Sequence, residues 1–279
     1  MSVDFSKKYQ AEFDAGLKHV GEHVQDAIDR KIDELCPHLI ETNTGDSYAC
    51  VLTLIYHSLA QGMLAWFRDK NLEQFKQHIY EMTKLERIAF HYTSNRQTGE
   101  DLYLGPLLAD NKELLNWFTS NDLMPTSNRH NPRQHSFRWS QMMYSLRGDW
   151  TIVEERAQKV IAMAPPAQKK YMLDEHFYLA LARGDLAGME ATLSELTSPK
   201  VARVRNNEFG FAYTRPFIGT HAVMYAKLAW LHGHQVKIDT PYIPQEWLPV
   251  APLSTYKDPY NFMRTFDIHE PLARTPDTI

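Results

Sequence analysis

Over residues 4–35 the apolar side chains Phe5, Tyr9, Phe13, Leu17, Val20, Val24, Ile28, Ile32 and Leu35 recur at steps of three or four. That period draws one face of an α-helix and is incompatible with a strand, whose faces alternate at every residue. On the same helical wheel Glu22, Asp26, Asp29 and Asp33 fall opposite the stripe. One face is therefore expected to pack and the other to be acidic and wet, with Pro37 ending the helix. The next segment, capped by Asp46 or Ser47 and running to about Asp69, is apolar almost all round, which marks a central helix. A third helix follows the turn at Lys70 and Asn71 and carries Leu72, Phe75, Ile79, Met82, Leu85, Ile88 and Tyr92. A sheet sandwich needs many turns, and only 12 glycines are available for them. The predicted fold class is all-α.

The second half predicts helical hairpins from about residue 135 to 197. Arg147-Gly148-Asp149 and Arg183-Gly184-Asp185 lie 36 residues apart, each between two apolar helical segments. In each, Arg favours the negative end of the helix dipole, Gly supplies a left-handed residue, and Asp caps the next helix. A period near that of tetratricopeptide repeats suggests hairpins stacked as a bundle or short α-solenoid. Ser198-Pro199 starts a further helix, and residues 217–232 are helical again. The Pro- and aromatic-rich tail from Gln235 is expected to run extended. Residues 121–134 form the clearest loop. The chain reads as a single helical domain over 1–279, or as two lobes, 1–120 and 135–279, with that loop as the seam.

Composition removes several classes of function. Net charge is −4, whereas a protein living on phosphates carries a basic surplus, so no nucleic-acid partner is expected. No leader-like start and no run of ~18–20 apolar residues is visible, which predicts a cytoplasmic protein without a membrane partner. Cys36 and Cys50, the only cysteines, suit a reducing compartment as buried small side chains.

Three patterns invite a chemical reading. His19-Val20-Gly21-Glu22-His23 matches the H-x-x-E-H arrangement of some zinc peptidases. Gly21 loosens that helix, and the motif sits on its polar flank, so neither zinc nor any effect of His19→Ala on function is expected. His232-Gly233-His234 reads as a helix stop rather than a metal clip. Arg129, His130, Arg133, His135 and Arg138 beside Trp139 read as a solvated loop entering a helix. No phosphate-cradling loop or nucleophile elbow occurs. No catalytic residue, metal or cofactor is predicted.

The stretch GTHAVMYAKLAWLHGHQVKIDTPYIPQEWLP, residues 219–249, resembles the C-terminal signature of the bacterial immunity protein 49 family, which guards against polymorphic toxins. The matching features are Ala229-Trp230, His232-Gly233-His234, Val236-Lys237-Ile238-Asp239, Pro241-Tyr242-Ile243-Pro244 and Trp247-Leu248-Pro249. The hairpin around Ala182-Arg183-Gly184-Asp185-Leu186 is similar in style. The resemblance implies an all-helical, non-enzymatic antitoxin that binds a cognate toxin protein in interbacterial competition. It carries over no active-site residue.

The partner-binding residues expected from the sequence are Glu22, Asp26, Asp29 and Asp33. The first 47 residues hold ten acidic and five basic side chains, so the acid surplus of the chain is concentrated there. Such a face steers a basic partner. A helical-repeat scaffold for another protein or peptide, and a metal-dependent hydrolase using His19, Glu22 and His23, are the competing readings.

Overall fold

The computed structural model describes residues 5–93, 98–207 and 213–272. The described residues are helical and include no strand, as the apolar periods predict. The chain divides into two compact units. One comprises residues 1–97, 109–117 and 251–279, and the other residues 98–108 and 118–250.

In the first unit α1 (Phe5–Asp29), α2 (Ile32–Glu41), α3 (Ser47–Phe67) and α4 (Leu72–Tyr92) pack around α3. Asp46 caps α3 by accepting from the Ala49 amide at 3.0 Å, and Asn71 caps α4 through the Gln74 amide at 3.0 Å. Val51, Leu54, Ile55, Leu59 and Met63 of α3 meet Phe75, Ile79, Leu85 and Ile88 of α4 in a core closed to solvent. At Gly62 an added Cβ would meet Ile79 Cδ1 at 3.3 Å, so glycine lets the two helices approach closely. α3 is long and apolar enough to cross a membrane by length and composition, with a mean hydropathy of 1.3, but 72% of that window is buried in the fold. No other described helix meets those criteria.

The single helix predicted over residues 4–35 is two helices. Lys31 adopts a left-handed conformation, φ 52°, and α2 runs through Pro37 instead of stopping there. The phase of burial gives the reason. A continuous helix would carry the period from Val20 and Ala27 onto Lys31 and bury its charge. The break advances the phase by one residue, leaving Lys31 exposed and burying Ile32, Cys36 and Ile40. Ile28 and Leu35, assigned to the packed stripe, are instead 55% and 48% exposed.

α4 also fastens the end of the chain. Lys84 donates to Asp258 at 2.7 Å, Tyr80 to Asp258 at 2.9 Å, and Arg87 to the Ile268 carbonyl at 2.8 Å. The Arg87 guanidinium also stacks 4.2 Å from the Trp117 ring centroid. Residues 251–272 are irregular apart from the short α13 (Asn261–Thr265).

In the second unit α5 (Leu104–Leu108) precedes α6 (Lys112–Ser120), whose last residues belong here. Two hairpins follow, α7 (His135–Arg147) with α8 (Trp150–Met163) and α9 (Met172–Ala182) with α10 (Leu186–Leu196). α11 (Pro199–Arg205) and α12 (Thr220–Leu231) complete the set, and loop 121–134 lies within this unit. α12 is buried on every side from Thr220 to Ala229. Lys227 inside it donates to the carbonyls of Trp247 and Pro249, each at 2.9 Å. That ammonium fastens residues 236–249, where Val236, Ile243, Trp247 and Leu248 are buried around a 3-10 turn at Gln245–Trp247.

Both Arg-Gly-Asp turns close in the same way. Gly148 and Gly184 have φ of 75° and 65°, and the following Asp amide bonds five residues back, Asp149 to Tyr144 at 3.0 Å and Asp185 to Ala180 at 2.9 Å. The second half of the expectation holds only once. Asp185 accepts from the Gly188 amide at 3.0 Å, whereas Asp149, with ψ 57°, makes no side-chain cap bond. Asp185→Ala is therefore expected to cost about 1 kcal/mol and Asp149→Ala distinctly less, as read from urea unfolding midpoints.

Candidate functional site

A 3-10 turn and three helices of the second unit bring four charged side chains into its interior. Glu100 comes from a 3-10 turn at Glu100–Tyr103, Arg138 from α7, Asp174 from the first turn of α9 and Arg205 from the last turn of α11. Their exposures are 1%, 2%, 0% and 3%. Isolated charges at such depth would cost several kcal/mol each, so they must pair. Arg138 donates to Glu100 and lies 3.8 Å from Asp174, while Arg205 donates to Asp174 at 2.9 Å. Tyr178 and Tyr225 give their hydroxyl protons to Glu100 at 2.6 and 2.8 Å. Both guanidiniums lie against the Tyr171 ring, 3.9 Å from its centroid for Arg138 and 4.6 Å for Arg205.

Two carboxylates and two guanidiniums balance. Burial opposes the Arg138 charge, yet Glu100 and Asp174 overcome it and hold that guanidinium above its ordinary pKa. A third acid, Glu175, receives a hydrogen bond from Gln141 at 3.1 Å, and burial pushes its carboxyl up to about 8. His221 lies 3.7 Å from Glu100 but is not its ionic partner. Burial and then the charges of Arg205, Arg138 and Lys170 push the imidazole well below its ordinary value, keeping it neutral.

Arg205 joins this cluster to the surface. The Nη1 that bonds Asp174 also donates to the Lys170 carbonyl at 3.1 Å, pinning the turn Pro166–Tyr171 beside α9 and α11. Nε and Nη2 make no hydrogen bond among the described residues. Arg205 also lines a groove of about 900 Å³ between that turn, α9 and α11. The groove has an aliphatic lining from Met172, Leu173, Val201 and Val204, with Lys169, Lys170 and Lys200 at its rim. A smaller depression of about 350 Å³ between α9 and α10 shares Leu173, His176 and Glu195 with it. The two form a trough along one face of α9.

The four acids expected to bind a partner are not on one helix face. Glu22, Asp26 and Asp29 are exposed on α1, each with a local partner. Lys18 lies 3.8 Å from Glu22, Arg30 lies 3.4 Å from Asp26, and Gln25 donates to Asp29 at 2.9 Å. Asp33 lies beyond the break, on α2. It accepts from the Tyr260 hydroxyl at 2.6 Å and lies 3.3 Å from His57. Burial works against its charge, but the adjacent His57 and the bond from Tyr260 hold it below the usual carboxylate range.

His19 is exposed and His23 half-buried on α1. Burial and then His57 and His19 depress the His23 pKa. Among the described residues no group of three His, Cys, Asp or Glu side chains is placed to hold a metal. Gly233 is left-handed, φ 86°, and ends α12, as its helix-stop reading predicts. Cys36 and Cys50 are free and buried, and burial followed by the neighbouring Cys50 raises the Cys36 thiol to about 12. The basic loop is not simply solvated. Arg138 lies in the buried cluster, and Arg129 is buried against Asp122 at 2.5 Å. Sequence reasoning missed both pairs because Glu100 lies 38 residues before Arg138, and because Asp122, at the start of the same loop, meets Arg129 only once the loop folds back on itself.

The sequence profile of the family described as Immunity protein 49 matches residues 69–247, well over half of the chain. The chain belongs to the Immunity protein 49 family. The match reaches far upstream of the C-terminal stretch that carried the resemblance. It includes every member of the buried cluster and the whole trough. Membership makes this an immunity protein, with a toxin as the partner in general terms, of a kind that is not typically enzymatic. No curated protein and no solved structure matches the chain.

Removing one arginine from the cluster strands a buried carboxylate. Arg205→Met is expected to lower unfolding stability by about 3–5 kcal/mol in urea titrations. Glu175 has the opposite sign from a paired acid. Its pKa is raised from 4.5 to about 8, so its contribution is fully present below pH 4.5 and is lost as pH rises towards 8. Glu175→Gln should match the wild type near pH 4 and exceed it at pH 8, with ~5 kcal/mol as the ceiling, flattening the pH profile of the melting temperature.

Proposed function

We propose that this immunity protein binds a cognate toxin protein in the cytoplasm and neutralises it by covering its working surface, without turning over a substrate. The family match over residues 69–247 carries the reading. Two features of the fold support binding over catalysis. The tightest assembly of titratable groups, around Glu100, Arg138 and Asp174, is sealed from solvent. Among the described residues the accessible features include a trough and charged helix faces, the materials of a protein interface. The free, buried Cys36 and Cys50 suit a reducing compartment. A toxin acting there, such as a nuclease, a cofactor-destroying enzyme or a protein-modifying enzyme, is the partner, with neither nucleic acid nor membrane as a direct ligand.

In this reading the acidic residues Glu22, Asp26, Asp29 and Asp33 steer a toxin whose active site is basic. Asp33 also holds Tyr260 and His57, so its reversal would test the fold as well as the encounter.

Co-expression with the toxin encoded beside this chain's gene is expected to restore growth when the chain stays in the cytoplasm. Protection that appears only when the chain is exported overturns the reading. The combined change Glu22→Lys, Asp26→Lys and Asp29→Lys should slow association roughly tenfold at low salt and weaken its salt dependence. Stopped-flow binding checks this, and an unchanged on-rate removes the steering role.

A further inference from the structure

We propose that the trough along α9 seats a helical segment of the toxin that is aliphatic on one side and carries carboxylates on its flanks. This rests on the immunity reading and names the part of the partner that docks. On α9 and its C-cap, Leu173, His176, Ala180 and Arg183 follow helical spacing and line the two depressions that make up the trough. The helix from Met172 to Ala182 is about 17 Å long at ~1.5 Å per residue, room for roughly three turns of a partner helix alongside. With no strand among the described residues, there is no sheet edge for an extended peptide to join, and helix-in-groove is the mode this architecture offers.

Charge selects the occupant. Lys169, Lys170 and Lys200 are exposed at the rim, against the single lining carboxylate of Glu195 at that end. Beneath them Arg205 is 3% exposed, with Nε and Nη2 unbonded among the described residues. A carboxylate-bearing segment complements that surplus, and aliphatic side chains complement Leu173, Val201 and Val204, the last 53% exposed. Nucleic acid fits less well, because no Phe, Tyr or Trp ring lines the trough and His176 is its sole ring for stacking a base. The Arg205 bond to the Lys170 carbonyl sets the lysine-bearing turn in place before binding, which lowers the ordering cost.

The test uses the full chain and the catalytically inactivated toxin encoded beside its gene. Val204→Glu and the pair Lys169→Glu, Lys200→Glu change exposed side chains, and circular dichroism melts confirm folding. Calorimetry is expected to show Kd weakened at least roughly tenfold in each, with Lys169→Arg, Lys200→Arg restoring it. A photocrosslinker at position 204 should trap a helical toxin segment containing Asp or Glu. Wild-type binding with unaffected variants overturns the trough alone. No binding by the wild-type chain overturns the immunity reading and this inference with it. A crosslink to a segment lacking carboxylates overturns the proposal. So does a labelled single-stranded RNA that binds the wild type and is lost in the lysine variant.

Discussion

In the second unit the ion pairs of Arg138 and Arg205 with Glu100 and Asp174 are the constraint on which the local arrangement depends. Hydrophobic contact is non-directional and tolerates sliding between helices. A buried charge does not, because its partner must arrive at hydrogen-bonding distance or several kcal/mol are lost. This cluster draws on the turn at Glu100, on α7, α9 and α11, and on α12 through Tyr225. Each element must hold its register for the two positive and two negative groups to meet. Such a core gains little net stability from its ion pairs over an apolar one, but it specifies one arrangement.

That specificity reaches the surface. The Arg205 guanidinium touches Asp174, the Tyr171 ring and the Lys170 carbonyl, so the wall of the trough is fixed by a group anchored in the interior. The first unit achieves a similar result with fewer deeply buried ion pairs among the described residues. Its core is the aliphatic seam of α3 and α4, and the cationic side of α4 is used locally. Lys76 pairs with Asp110 at 2.8 Å, and Arg87 reaches backbone carbonyls near the chain's end. Both units convert long basic side chains from solvent-facing groups into fasteners for irregular backbone, whose carbonyls would otherwise be buried without partners.

For an immunity protein this division is physically sensible. Sealed charge pairs fix shape, while the groups left at the surface are free to meet another protein. For the docking proposed above, a trough wall held in place by Arg205 would lose little conformational entropy on complex formation.

The sequence by itself determined the helical class, a cap at Asp46 or Ser47, the turn at Lys70 and Asn71, and the two Gly-centred turns after α7 and α9. Each depends on residues within a few positions of one another, where period, left-handed tolerance and side-chain capping act. It also carried the family signature in residues 219–249. Tertiary structure alone decided the break at Lys31, because burying that lysine is penalised only when α1 and α2 have α3 to pack against. It decided that Asp149 makes no cap bond while Asp185 does, and that Asp33 separates from Glu22, Asp26 and Asp29. Above all, it decided the buried cluster. Glu100, Arg138, Asp174 and Arg205 read as ordinary surface charges along the chain, since 31 to 38 residues separate the bonded partners and nothing local couples them. Only a closed interior makes an unpaired charge expensive, and only there do these residues become each other's requirement.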